Sequence, residues 1–167
     1  VTMGISHDPE NCKVFEELDL IGINYSLDKH DDLHKKHPDK PLFASECCST
    51  GSTRGWYFED NPKRGYVNEF DKDFEFEWSR SIEETWKHIA GRNWIFGAFQ
   101  WTGIEYRGEA VWPRICAQTG AVDLYLQRKA AFYQNKANWS DEPMVYILPH
   151  WNHAGREGEQ IYVRAYT

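Results

Sequence analysis

A chain of 167 residues with a net charge of −7 has room for one ordinary domain, since a chain of this size buries roughly two thirds of its unfolded surface. The acidic balance, with no run of Lys and Arg, argues against a phosphate backbone as partner, and no apolar stretch approaches the roughly 20 residues that span a bilayer. The four cysteines, Cys12, Cys47, Cys48 and Cys116, lack CxxC spacing and read as thiols rather than a zinc site or a disulfide framework, while an aromatic content of 16% supplies flat faces that suit a sugar ring or a core.

Val1 to about Ser6 reads as the end of a strand. Asp8-Pro9-Glu10 predicts a helix running to about Leu18, with Asp8 as cap and Pro9 in the first helical position. Leu20-Ile21-Gly22-Ile23-Asn24-Tyr25 is the apolar, β-branched run of a strand covered on both faces, and it ends on a polar pair. A helix is predicted from about Lys29 to His37, stopped by Pro38. Pro41-Leu42-Phe43-Ala44-Ser45-Glu46 follows as a short apolar strand that ends on a carboxylate. From Cys47 to Trp78 no period is visible, over a length well beyond an ordinary connection. The aromatics there, Trp56, Tyr57, Phe58, Tyr66, Phe70, Phe74, Phe76 and Trp78, read first as a small core of the segment's own and second as outer sugar subsites.

Ser81-Ile82-Glu83-Glu84 is a capping box that opens a helix to about Ala90, with Gly91 at its C-terminal cap. Ile95 to Trp101 is a further apolar strand, and Asp123 is expected to cap a helix from about Leu124 to Asn138. Beyond Pro143, Met144–Leu148 and Gln160–Tyr166 read as antiparallel strands joined by a polar, Gly-containing segment. The order predicts consecutive βα units on a parallel sheet over residues 1–142 and the start of an all-β domain over 143–167.

A parallel barrel presents its reactive groups at the C-terminal ends of its strands, which here are Asn24-Tyr25, Ser45-Glu46 and Phe99-Gln100-Trp101. Glu46 is therefore the leading catalytic candidate, its alternative being a carboxylate paired with an Arg at a sheet edge. Tyr25 and Trp101 read as site residues or, more simply, as packing. Glu105 and Glu109 read first as salt-bridge partners of Arg107 or Arg114 and second as groups that touch substrate. A thiol nucleophile at Cys47 or Cys48 would need an activating His that the sequence does not single out. His30 and His34 have i, i+4 metal spacing but no third ligand, and read as a solvated helix face. Neither a metal nor a cofactor is expected.

Taken with Ser52-Thr53-Arg54-Gly55, Trp101-Thr102-Gly103 and Pro149-His150-Trp151-Asn152, these strand ends resemble the C-terminal part of the catalytic barrel of a glycoside hydrolase family 2 β-galactosidase, over nearly the whole chain. The resemblance implies an α/β fold: the second half of a (β/α)8 TIM barrel, strands 5–8, in residues 1–142, then the first strands of an immunoglobulin-like sandwich in 143–167. It implies a retaining exo-acting enzyme with Glu46 as nucleophile, Tyr25 hydrogen-bonded to it, and Asn24 and Trp101 in the sugar-binding site. The acid/base residue of such enzymes precedes the nucleophile; Asn68-Glu69 matches its dipeptide but follows Glu46 and lies in the long loop. The isolated chain is accordingly expected to be inactive. The implied partners are a β-galactoside or related oligosaccharide, the missing N-terminal half of the same enzyme and, through exposed sheet edges, a second copy of the chain. A β-glucuronidase or β-mannosidase of the same family, or a non-catalytic carbohydrate-binding or interaction module, are the alternatives. Asn61-Pro62-Lys63 resembles the Asn-x-Lys of the β-glucuronidases but stands where they do not carry it.

Overall fold

The computed structural model describes residues 1–71 and 77–167. These fall into two units: Val1–Thr50 with the described residues of 74–102, and the described residues of 51–73 with Gly103–Thr167. The fold is α/β.

In the first unit the apolar runs pair as a parallel sheet in the order β1 (Gly4–Ile5), β2 (Ile21–Asn24), β3 (Leu42–Cys48), β4 (Ile95–Trp101). Helices α1 (His30–Lys36) and α2 (Ile82–Ala90) make the crossovers, as parallel pairing requires. Leu33 and Ile89 from these helices meet Ile21, Ile23, Leu42, Ile95 and Phe15 in one core. Side chains alternate along a strand, so Phe43, next to Leu42, turns to the other face. There it packs against Phe96 and Phe99, with centroids 5.0 and 5.9 Å away. Those two rings are 56% and 62% exposed, so this aromatic face is largely uncovered. Gly22 lets β1 approach, because a Cβ there would stand 2.7 Å from the Met3 carbonyl.

Helix α2 starts as its capping box predicts: Ser81 Oγ accepts from the Glu84 N–H at 3.0 Å, and the Glu84 carboxylate accepts from the Ser81 N–H at 3.1 Å. The helix expected over 8–18 does not form. Two 3-10 turns, Pro9–Asn11 and Lys13–Glu16, take its place. Asp8 is left-handed, at φ 46°, and its carboxylate takes the Asn11 amide instead of capping a backbone N–H. Lys40 Nζ then donates to the carbonyls of Phe15, Glu16 and Leu18 at 2.6–2.8 Å, satisfying groups that helical bonds would otherwise have to satisfy.

His30 also departs from expectation. It lies wholly buried, edge-on to His88 with centroids 5.1 Å apart, while His34 is half-buried and stacks on Trp94 at 4.2 Å. The pair is therefore not a solvated face, because α1 turns this side toward α2 and the sheet. Burial, reinforced by the positive charge of His88 and Arg92, lowers the His30 pKa from 6.5 to about 4. Between those values the unfolded chain binds the proton that the folded one refuses. Stability is thus present above about pH 6.5 and falls as pH drops toward 4, by roughly 3 kcal/mol for this group. Urea unfolding of His30→Leu should show a shallower loss of stability over that window than the parent. An unchanged slope would exclude His30 as the source.

The second unit contains α3 (Ala130–Trp139) and an antiparallel pair, β5 (Tyr146–Leu148) and β6 (Arg164–Tyr166), in the register Tyr146↔Tyr166, Ile147↔Ala165 and Leu148↔Arg164. Ala130, Leu148 and Tyr166 form its core, and Tyr57, Phe70, Tyr133 and Met144 pack on it. Trp56 contacts Phe58 and Tyr66 at 5.1 and 4.9 Å. Much of the aromatic content of the long loop thus has a packing role; Phe74 and Phe76 lie outside the described residues.

Asp123 does not cap a helix beginning at Leu124. Its carboxylate accepts from the N–H groups of Tyr125 and Gln127 and from Arg54 Nε, closing a turn in which Leu126 is left-handed at φ 60°. The helix starts only at Ala130, whose N–H donates to Glu69 at 2.6 Å. Among the described residues no helix is long and apolar enough to cross a membrane.

Candidate active site

The C-terminal ends of β2 and β3 lie side by side, with Asn24 in register with Glu46. The Tyr25 N–H donates to the Glu46 carbonyl at 2.7 Å, continuing the ladder one residue past β2. The Tyr25 phenol lies close enough to the Glu46 carboxylate for the two to interact electrostatically. Partial burial, and next the charge of Glu46, push the Tyr25 pKa far above its usual value, so the phenol stays a donor. Asn24 accepts from the Ser45 hydroxyl at 2.7 Å, and Gly4 leaves room for this pair: a Cβ there would sit 2.8 Å from Asn24 Oδ1.

Both strands leave the site through left-handed residues. Tyr25 and Ser26 have φ 59° and 42°, and Cys48 and Ser49 have φ 69° and 61°. For residues with a Cβ this conformation costs about 1–2 kcal/mol each, and such strain gathers where surrounding structure fixes a functional geometry. β4 pairs with β3 through Cys48↔Trp101, which places Trp101 at the strand end next to that of β3, on the side away from β2. The sequence-predicted residues Asn24, Tyr25, Glu46 and Trp101 are therefore all at neighbouring ends of one sheet.

Trp78 was not singled out for this site by the sequence. Its ring lies 4.3 Å from that of Tyr25, and the Arg80 N–H, donating to the Cys48 carbonyl at 3.3 Å, ties its segment to the end of β3. Nothing local signals this role, because Trp78 and Tyr25 are far apart in the chain. The thiols Cys47 and Cys48 are buried, with Sγ atoms 3.4 Å apart and no disulfide between them.

Other carboxylates have different employment. Glu69 is buried, and its two oxygens accept from the N–H groups of Gly55 and Ala130 at 2.6 Å each. Glu105 pairs at 2.7 Å with Lys129, not with the expected Arg107 or Arg114. Glu109 accepts from the Tyr106 hydroxyl. Lys129 reaches Glu105 because its side chain runs inward, fully buried, whereas Arg107 is exposed. Among the described residues no group of three or more His, Cys, Asp or Glu side chains is arranged to hold a metal ion.

No family model matches the chain. Relatives do. The β-galactosidase BoGH2A of Bacteroides ovatus is 30% identical over 91% of this chain, and a β-glucuronidase of Bacteroides fragilis is 32% identical over 70% of it. A solved β-glycosidase structure from Bacteroides vulgatus superposes on 89% of the chain with a TM-score of 0.76 at 28% identity. The chain belongs to glycoside hydrolase family 2. It spans only 20% of the length of the first of these relatives, 17% of the second and 24% of the solved chain.

Proposed function

We propose that this chain carries the nucleophile side of the active site of a retaining exo-β-glycosidase acting on terminal β-galactosides. The observation that carries the reading is the placement of Tyr25 beside Glu46 on adjacent parallel strands, with Asn24 in register with Glu46 and the Tyr25 N–H donating to the Glu46 carbonyl at 2.7 Å. A retaining glycosidase uses an ionised carboxylate to attack the anomeric carbon, with a second carboxyl about 5 Å away protonating the leaving oxygen. Tyr25 stabilises the anion and holds it in line. Trp101 offers a flat apolar face for the sugar, and Asn24 a polar contact beside it. Glu69 is a poor acid because both its oxygens are committed to backbone N–H groups, so the acid/base belongs to a part of the enzyme outside this chain, and the chain alone is inactive.

In this reading residues 1–142 are the second half of a (β/α)8 barrel and 143–167 open a β-sandwich. The exposed Phe96 and Phe99, packed on Phe43, support it, since a parallel sheet ordinarily has both faces covered. The missing half of the barrel would cover that face and pair with β1 and β4; in its absence a second copy would serve. A glucuronide-cleaving enzyme is the second reading, favoured by relatives named β-glucuronidase beside the one named β-galactosidase.

Mechanism-based labelling tests both. The intact enzyme, incubated with a 2-deoxy-2-fluoro-β-galactosyl fluoride, should lose activity with time and carry the fluorosugar on the peptide containing Glu46. The glucuronyl analogue acting instead would select the second reading. A label on another carboxylate would overturn the assignment of Glu46.

A further inference from the structure

We infer that Trp78 is a positioning residue for the proposed reaction: it holds the Tyr25 ring in place, and through that ring the phenol beside Glu46. The inference rests on the reading of Glu46 as nucleophile and adds a residue that the strand ends do not supply. Tyr25 needs such support. Its N–H is tied to the Glu46 carbonyl at 2.7 Å, but at φ 59° it stands one residue past β2, where the sheet no longer directs its side chain. Among the described residues Trp78 is the one aromatic ring in contact with it, tilted by 53° at a centroid distance of 4.3 Å.

The segment that carries Trp78 is anchored on both sides. Arg80 Nη1 donates to the carbonyls of Glu77 and Ser79 at 2.7 and 2.6 Å, which clamps the backbone before and after the tryptophan. The Arg80 N–H donates to the Cys48 carbonyl at 3.3 Å, at the end of β3, and the capping box at Ser81 begins α2 directly afterwards. Ser79, between these ties, is buried. A group supported by a fixed neighbour keeps its productive geometry with less freedom to lose, so an anchored ring is suited to hold another in position. Trp78 is 44% exposed and stands outside the core formed by Ile21, Leu42 and Ile89. Its place is at the strand ends and not in the core.

A double-mutant cycle in the intact enzyme tests this, with steady-state rates on the nitrophenyl glycoside that it cleaves. Trp78→Leu should lower kcat by about 10-fold, the most that one aromatic pair supplies. Binding of an unreactive methyl thioglycoside of the same sugar should change by less than about 2-fold, because a positioning residue acts on the transition state and not on uniform binding. Trp78→Phe, which keeps a ring against Tyr25, should retain most of the rate. In a Tyr25→Phe background Trp78→Leu should cost nothing further, because the phenol it positions is gone. Trp78→Met serves the same cycle if Trp78→Leu does not fold. An unchanged kcat, equal losses in both backgrounds, or weakened thioglycoside binding would overturn the inference; the last would put Trp78 in direct contact with the sugar. Labelling tests Glu46 separately, so failure of that reading is distinguishable from failure of this one.

Discussion

Glu46→Gln in the intact enzyme is expected to lower kcat by about 10^4-fold or more, the scale seen when a covalent nucleophile is removed. Glutamine has nearly the same shape, so the half-buried C-terminal part of β3 need not rearrange. What it lacks is the charge and the free oxygen that form the glycosyl ester. Tyr25→Phe is the graded counterpart: deleting one aligned donor costs about 10^2-fold, with the carboxylate still present. Steady-state rates on a nitrophenyl glycoside, with binding checked separately, measure both. Turnover within a few-fold of the parent for Glu46→Gln would remove Glu46 from the chemistry.

Lys129→Met should destabilise the fold by about 3–5 kcal/mol, the usual result of stripping one member from a buried ion pair. Lys129 is fully buried and donates at 2.7 Å both to Glu105 and to the Gln118 carbonyl. Burial lowers its pKa while the charge and hydrogen bond of Glu105 oppose that. With Lys129 gone, Glu105 is left as a buried charge, and the Cys116 thiol at 3.6 Å is a weak substitute donor. Lys129→Met combined with Glu105→Leu should recover most of the loss, because an apolar pair can replace a buried ion pair at little cost. Denaturant unfolding of the two variants decides it, and a neutral single variant would show that the pair is not a stabilising contact.

The elements that were legible in the sequence are those whose cause is local. The run Ile21-Gly22-Ile23 and the run Leu42-Phe43-Ala44 carry apolar side chains for both faces of a parallel strand, and each pairs as a parallel strand. The capping box at Ser81 closes on itself within four residues, so its prediction needed no partner from elsewhere. The two helix starts placed at Asp8 and Asp123 failed for a common reason. In each case the carboxylate had a competing donor, the Asn11 amide or the Arg54 guanidinium with the turn N–H groups of 125 and 127, and the backbone followed that partner.

By itself, then, the sequence determined that an acidic side chain stands near the C-terminal end of a buried strand, which runs two residues past the expected end at Glu46, that polar and aromatic residues end its neighbours, and that helices cross between them. Apolar run length, capping chemistry and proline placement are sufficient for that, since they act over a few residues. The tertiary structure alone decided which groups meet. It set Tyr25 beside Glu46, tilted the Trp78 ring against Tyr25, buried His30 and sent Lys129 rather than an arginine to Glu105. Each of those pairings is chosen by burial and by the direction in which a distant segment is folded back, and neither quantity is written in the residues adjacent to it.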